Sequence, residues 1–237
     1  YDRLFSSLFV NPEAYKKIVG LLARKRIGYT RKEIAEKTKI PYGGGLSNML
    51  KILETNDLII SYIPLGLTMK DVHYKLVDSY CLFYNHFCSE TNPQFWQQNN
   101  QSTSLNSWRG FAFEEVCYSH IGKIKEVLGI SGIQTEVYPF IQRATDSEDG
   151  VQIDMVIKRA DRVFNLCEIK FYNSDFKITK QYDQELRNKI TALQETFQKR
   201  AKDYCNIHLT LITTYGLASN EYSGKVVSVV TMKDLIG

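Results

Sequence analysis

The chain has 237 residues, of which 43% are hydrophobic and 24% are charged, and this composition excludes a disordered or collagen-like protein. Thirty basic and 26 acidic side chains give a net charge of +4. No apolar run reaches the roughly 18–20 residues that a membrane helix needs, and no signal peptide pattern opens the chain. We therefore expect a cytoplasmic protein without a membrane partner.

The charge is unevenly distributed, and it divides the chain near residue 100. Residues 16–51 carry ten Lys or Arg against two Glu, whereas residues 101–237 carry 17 basic and 17 acidic side chains. Between these parts, residues 92–107 are polar and rich in Asn, Gln and Ser, which is typical of a connection between two packed units. The basic excess of the first part favours an anionic partner such as a nucleic acid.

The first part has the pattern of helix, turn and helix. Apolar residues at helical spacing predict a helix over residues 13–27. Thr30 followed by Glu33 forms a capping box, which predicts the start of a second helix. Three glycines at 43–45 are expected to break the chain before a third helix begins at Leu46.

An alternating stretch follows at residues 58–79, interrupted at Pro64-Leu65-Gly66, and this pattern is typical of a two-stranded wing. Residues 13–80 therefore resemble a winged helix-turn-helix, in which the helix after the turn enters the major groove of DNA. The candidate DNA contacts are Ser47, Asn48 and Lys51 on that helix and the basic cluster Arg24, Lys25 and Arg26. Winged helices also dock proteins, and lysine-rich faces are often merely solvated, so a protein partner is the alternative.

The second part begins with a helix predicted over residues 108–129. Glu114 falls on the same stripe of this helix as Phe111 and Cys117. Burial of a carboxylate is unfavourable unless the group is paired or binds a metal, which makes Glu114 a candidate functional residue. Glu115, one position further, is the alternative.

Three strand-like runs then predict an antiparallel meander, and a long helix and two more strands follow. The runs of the meander are residues 134–143, 151–159 and 163–171, the helix is 178–202, and the last strands are 208–215 and 225–232. One face of the second run is predicted to carry the apolar side chains Val151, Ile153, Met155 and Ile157.

Polar residues occupy the other face of this predicted hairpin. Asp154 lies there in the second run, and Glu168 and Lys170 share one face of the third run. If the two strands are neighbours, Asp154 and Glu168 meet on one side, with Lys170 one pleat along. A structural salt bridge within the sheet is the alternative interpretation of these three residues.

The D-x(13)-E-x-K spacing and the order of elements resemble the PD-(D/E)xK nuclease-like fold over residues 108–231. The resemblance implies that Asp154 and Glu168 hold Mg²⁺ or Mn²⁺ and that Lys170 orients or deprotonates the attacking water. Glu114 would complete the acidic cluster. Such nucleases often place a phosphate-facing side chain at the start of the following helix, where the second-tier candidates are Lys180 and Gln181.

The pairing of both units resembles the C-terminal half of a family of prokaryotic AAA-type ATPases that are abundant in archaea. The motif that carries this resemblance includes Trp108, Gly110, Phe113 and Glu114. It implies an α+β chain with a tail of an upstream ATPase domain (1–12), a winged helix-turn-helix (13–80), a connector (81–107) and an α/β PD-(D/E)xK nuclease-like domain (108–237). ATP would then bind only in the upstream domain, which is also a partner in the same polypeptide.

Two functional hypotheses follow from the sequence, and it leaves open whether the chain is an enzyme. The first is a DNA-associated module of such an ATPase, with a metal-dependent phosphodiesterase centre. The second is a non-catalytic module that binds DNA or protein and keeps a degenerate nuclease fold.

Overall fold

A computed structural model describes residues 1–65, 67–88, 92, 94–99, 102–142, 144, 150–201 and 206–237. The protein is a mixed α+β chain with two compact units. The first unit comprises Tyr1–Ile63 and Leu67–Trp108, and the second comprises Pro64–Gly66 and Arg109–Gly237. None of the helices in the described part of the chain is long and apolar enough to cross a bilayer.

The first unit combines helices with a small antiparallel sheet. Its helices are α1 (Asp2–Leu8), α2 (Pro12–Leu22), α3 (Arg31–Thr38), α4 (Gly44–Thr55), α5 (Ser79–Phe87) and α6 (Phe95–Gln98). Its strands are β1 (Tyr29–Thr30), β2 (Ile59–Tyr62) and β3 (His73–Leu76), arranged in the order β1-β3-β2. A 3-10 turn at Met69–Asp71 lies between β2 and β3, which pair antiparallel.

The helix boundaries of this unit agree only in part with the sequence pattern. The capping box is confirmed, because Thr30 Oγ1 accepts the Glu33 N–H and the Glu33 carboxylate accepts the Thr30 N–H. The predicted end of the first helix at residue 27 is wrong, since α2 ends at Leu22. The predicted break over all three glycines is also wrong: α4 begins at Gly44, with Gly43 as its N-cap, a position where glycine is tolerated.

The second unit is built on a mixed sheet with the strand order β4-β5-β6-β7-β8. These strands are β4 (Thr135–Gln142), β5 (Val151–Arg159), β6 (Val163–Lys170), β7 (Asn206–Thr213) and β8 (Ser228–Thr231). The helices are α7 (Thr103–Ser119), which starts before the unit boundary, α8 (Ile121–Val127), α9 (Lys180–Ala201) and α10 (Met232–Ile236). The predicted antiparallel meander of β4, β5 and β6 is confirmed, while β6, β7 and β8 run parallel.

Each face of this sheet buries its own apolar core. On one face, Phe113 and Cys117 of α7 pack with Cys167 and Ile169 of β6. On the opposite face, Leu193 of α9 packs with Val156 of β5 and Leu166 of β6. Helices therefore cover both faces, and any polar side chain of β6 that points toward α9 is buried beneath that helix.

A β-bulge interrupts β5 beside Asp154. Tyr138 of β4 pairs with Val156, but Phe140 pairs with Ile153, so β5 carries one extra residue between these pairs. The extra residue reverses the alternation, and Ile153 packs in the same core as Val156. The prediction that Ile153 shares a face with Met155 is therefore wrong.

Candidate functional site

The hairpin of β5 and β6 brings Asp154 and Glu168 together. The antiparallel pairing of the two strands ends at Met155 and Cys167, and Asp154 and Glu168 are the next residues beyond that pair. The Asp154 side chain turns toward the neighbouring strand, and its Oδ2 accepts the backbone N–H of Ile169 at 3.2 Å. The bulge and this hydrogen bond together fix the direction of the Asp154 carboxylate.

Glu168 is fully buried, with 0% of its surface exposed, and both of its oxygens accept short hydrogen bonds. Oε1 lies 2.6 Å from Nζ of Lys189, and Oε2 accepts the Tyr182 hydroxyl at 2.6 Å. Nζ of Lys170 lies 3.7 Å from Oε2. A buried carboxylate needs such partners, because an isolated buried charge costs several kcal/mol.

Both partners that approach most closely come from α9. Tyr182 and Lys189 are seven residues apart, which places them on the same side of this helix two turns from each other. The stripe they share also carries Leu186 and Leu193, both buried against the sheet. Lys189 falls on an apolar stripe of the sequence, and this signal for a buried ion pair with Glu168 was missed.

The two second-tier candidates at the start of α9 lie elsewhere. Lys180 and Gln181 are both exposed, and Gln181 Nε2 donates to Glu185 of the same helix at 3.3 Å. Within the described residues, neither side chain hydrogen-bonds Asp154 or Glu168. Helix α9 instead contacts Glu168 through Tyr182 and Lys189, which lie one and eight positions after Gln181.

Helix α7 supplies the third predicted carboxylate from the other side of the sheet. Glu114 is 5% exposed, and Glu115 is half-buried. One turn after Glu114, the Tyr118 hydroxyl donates to the backbone carbonyl of Asp154 at 2.6 Å. This hydrogen bond anchors α7 to β5 at Asp154.

The carboxylates affect the pKa of two neighbouring side chains, Cys117 and Tyr182. Burial raises the pKa of the Cys117 thiol, and the negative charges of Glu114 and Asp154 raise it further. Burial also raises the pKa of the Tyr182 hydroxyl, with an added contribution from the charge of Glu168. Cys117 and Tyr182 thus remain protonated at neutral pH, so Tyr182 acts as a hydrogen-bond donor and Cys117 is not a nucleophile.

The oxygen donors of this centre fit a hard divalent cation. Within the described ranges, no group of three or more His, Cys, Asp or Glu is placed to hold a metal. Mg²⁺, however, commonly binds through one or two carboxylates and takes its other ligands from water and substrate phosphates. Asp154 is half-buried, and its Oδ1 accepts no hydrogen bond from the described residues. Each Glu168 oxygen has a second lone pair beside the one that Lys189 or Tyr182 occupies.

The basic cluster of the first unit lies in the turn after α2. Arg24 is exposed, whereas Lys25 and Arg26 are half-buried. Nζ of Lys25 lies 5.0 Å above the centre of the Tyr29 ring, a cation–π contact that holds its charge beside β1.

The predicted contacts on α4 differ in their surroundings. Asn48 and Lys51 are exposed. Ser47 is half-buried, and its Oγ accepts a hydrogen bond from Nη1 of Arg31 at 2.6 Å. The same guanidinium donates to the Tyr42 hydroxyl at 2.6 Å and lies 4.4 Å from the centre of the Tyr42 ring. Ser47 therefore joins α3 to α4, while Asn48 and Lys51 are accessible to a ligand.

Comparisons with known proteins give little beyond this geometry. No protein-family model matches the chain, and no curated protein matches it. Among solved structures, the restriction endonuclease FokI is similar with a TM-score of 0.31 and 11% identity. The aligned region covers 95% of this chain and 43% of the FokI chain, so this chain spans less than half of that protein. A similarity at this level carries no conclusion about function.

Proposed function

We propose that the second unit is a nuclease-like domain whose centre at Asp154, Glu168 and Lys170 hydrolyses phosphodiester bonds with Mg²⁺ or Mn²⁺. One observation carries the proposal. Asp154 and Glu168 are the next residues beyond the paired Met155 and Cys167 on neighbouring strands, and the Lys170 ammonium lies 3.7 Å from the Glu168 carboxylate. Two carboxylates can hold a divalent cation that activates a bound water, and a lysine beside them can stabilise negative charge on the phosphate.

Each residue has a distinct task in this proposal. Asp154 and Glu168 would hold the cation, which supplies Lewis acidity and lowers the pKa of a bound water. The side chain of Lys170 is 31% exposed, so its ammonium can reach a phosphate while it remains beside Glu168. Lys170 would donate hydrogen bonds to the attacking water and to the negative charge that develops on the phosphate. Glu114 would add negative charge to the centre from α7.

A non-catalytic module is the second candidate, and a specific observation favours it. Both oxygens of Glu168 are already bonded, to Lys189 and to Tyr182. A buried carboxylate paired in this way is equally typical of a structural ion-pair cluster beneath a helix. In that case the fold binds nucleic acid or protein without cleaving it.

A cleavage assay separates the two candidates. Supercoiled plasmid and single-stranded DNA are incubated with the chain in Mg²⁺ or Mn²⁺, and the variants Asp154→Asn and Lys170→Met are run beside the wild type. We expect metal-dependent cleavage that falls about 10²–10³-fold in Lys170→Met, the usual cost of removing one positioned donor to a developing negative charge. Asp154→Asn is expected to be inactive.

The matched control is Asp161→Asn, because Asp161 lies in the turn at the far end of the same hairpin and pairs with Arg159. This variant is expected to cleave like the wild type. Cleavage that survives in Asp154→Asn, or no cleavage by the wild type with either metal, would contradict the nuclease proposal and favour the non-catalytic module.

For the first unit, we propose a winged helix-turn-helix that binds DNA. Support comes from the order α2, α3 and α4 followed by the antiparallel pair β2 and β3, and from the basic residues around them. A protein partner for this unit is the alternative. The proposal that both units serve an AAA-type ATPase rests on the motif around Trp108 and on the strands that carry Asp154, Glu168 and Lys170.

A further inference from the structure

Among the described residues, the cation closest to Glu168 is the ammonium of Lys189. It lies 2.6 Å from Oε1, whereas the Lys170 ammonium is 3.7 Å from Oε2. The side chain of Lys189 is 18% exposed and projects from the α9 stripe that packs on the sheet. Lys189 is thus less exposed to water than a surface lysine, and solvent screens its charge less.

The positive charge of Lys189 would compete with a metal ion for the Glu168 carboxylate. Glu168 carries one negative charge, and Lys189 already neutralises it over a short distance. A divalent cation that takes Glu168 as a ligand must share the carboxylate with this ammonium, and the two positive charges repel each other. Binding of metal and contact with Lys189 therefore oppose each other.

Tyr182 and Lys170, the other partners of Glu168, compete less with a metal for this carboxylate. The Tyr182 hydroxyl is neutral and donates to Oε2, an interaction that is compatible with a ligated carboxylate. Lys170 is more exposed than Lys189 and lies over the Tyr182 ring at 5.0 Å, so it can turn toward solvent or substrate. Lys189 is the cation with the shortest contact to Glu168 and the lower exposure.

We propose that Lys189 is a positioning residue that holds Glu168 in the resting state and weakens the affinity of the centre for metal. When metal binds, Lys189 is displaced from Oε1, so α9 sets the metal concentration at which the centre fills. This inference rests on the proposed function, because it requires that Asp154 and Glu168 bind a divalent cation.

Calorimetric titration of Mn²⁺ into the full chain tests the inference with a readout other than cleavage. We compare the wild type with Lys189→Met and with Lys177→Met, which removes one exposed charge from the segment before α9. Lys189→Met is expected to bind Mn²⁺ about tenfold more tightly than the wild type, within the range usual for coupled binding events. Lys177→Met is expected to match the wild type.

The outcomes separate this inference from the proposed function. Equal or weaker Mn²⁺ binding by folded Lys189→Met, with clear binding by the wild type, would overturn the role of Lys189 and leave the metal centre intact. Tight binding by Lys189→Met alone would support both proposals. No binding by either protein would overturn both.

A second measurement needs no variant, in case Lys189→Met fails to fold. Acetic anhydride modifies lysines according to their accessibility, and mass spectrometry gives the rate at each position. If Mn²⁺ displaces Lys189, its rate of acetylation rises several-fold with metal, while the rate at Lys177 stays constant. An unchanged or lower rate at Lys189 in saturating Mn²⁺ contradicts the displacement.

Discussion

At the scale of single residues, the centre depends on how a buried carboxylate is neutralised. The sequence predicted that Asp154, Glu168 and Lys170 come together if the two strands are neighbours, and the pairing of β5 with β6 and the contact of Lys170 with Glu168 are consistent with that prediction. The partners from α9 were not predicted, because nothing local to Glu168 indicates which helix covers it. The stripe that combines Tyr182 and Lys189 with buried leucines was the available signal.

Asp183 of α9 is a second buried carboxylate with basic partners, and its pairing affects how stability depends on pH. Asp183 is buried, and it accepts hydrogen bonds from Nζ of Lys225 at 2.7 Å and from Nε of Arg187 at 2.9 Å. These two bonds hold the pKa of the Asp183 carboxyl below its ordinary value. The ionised form is therefore favoured in the folded state, and it stabilises the fold at every pH above the pKa of the unfolded chain.

We predict how this stabilisation responds to acid. It is complete above about pH 4, near the ordinary pKa of Asp, and it is lost as pH falls from there through the lower pKa of the folded state. Asp183→Asn lacks this contribution, so its free energy of unfolding should fall less steeply over that acid window. Denaturant unfolding at a series of pH values measures both slopes.

Asp175→Asn is the control for this experiment, because Asp175 lies in an exposed segment after β6. It should follow the wild type across the pH series. Identical acid slopes for Asp183→Asn and the wild type would show that the contacts with Lys225 and Arg187 do not stabilise the ionised carboxylate.

At the scale of elements, the sequence predicted best where the signal is local. The capping box at Thr30 determines the start of α3, and alternating runs determine β4, β5 and β6. The predictions were wrong where contacts between distant parts of the chain determine the structure. The bulge beside Asp154 depends on how β5 pairs with β4, and no periodicity within β5 reports that pairing.

Helix ends were the other failure at this scale. Helix α7 begins at Thr103, five positions before the predicted start at Trp108, within a segment interpreted as a polar connector. The short helix α10 after β8 was not predicted at all, although Thr231 and Asp234 form a capping box at its start. Polar composition indicates exposure to solvent, and it does not by itself exclude a helix whose other face is covered.

At the scale of the whole molecule, the two units are proposed to act on the same kind of polymer. If the basic cluster of the first unit contacts phosphates, replacing Arg24, Lys25 and Arg26 by Ala removes up to three contacts. The slope of log K against log salt for duplex DNA should then fall by up to about 2.7, since each neutralised phosphate contributes roughly 0.9. Fluorescence anisotropy over a salt series gives this slope.

Lys123→Ala serves as the control for the salt series, because Lys123 lies on α8 of the second unit and pairs with Glu126 at 3.1 Å. It should leave the slope unchanged. A triple variant with the slope of the wild type would favour a solvated basic surface or a protein partner for the first unit.

The location of the bound metal tests the proposed nuclease centre most directly. Fe²⁺ substitutes for Mg²⁺ at carboxylate sites, and with ascorbate and peroxide it cuts the backbone next to the bound ion; mass spectrometry identifies the fragments. We predict cuts in β5 beside Asp154 and in β6 beside Glu168, lost in Asp154→Asn and retained in Asp161→Asn. Cuts confined to other segments, or unchanged cuts in Asp154→Asn, would contradict a metal centre between these two strands.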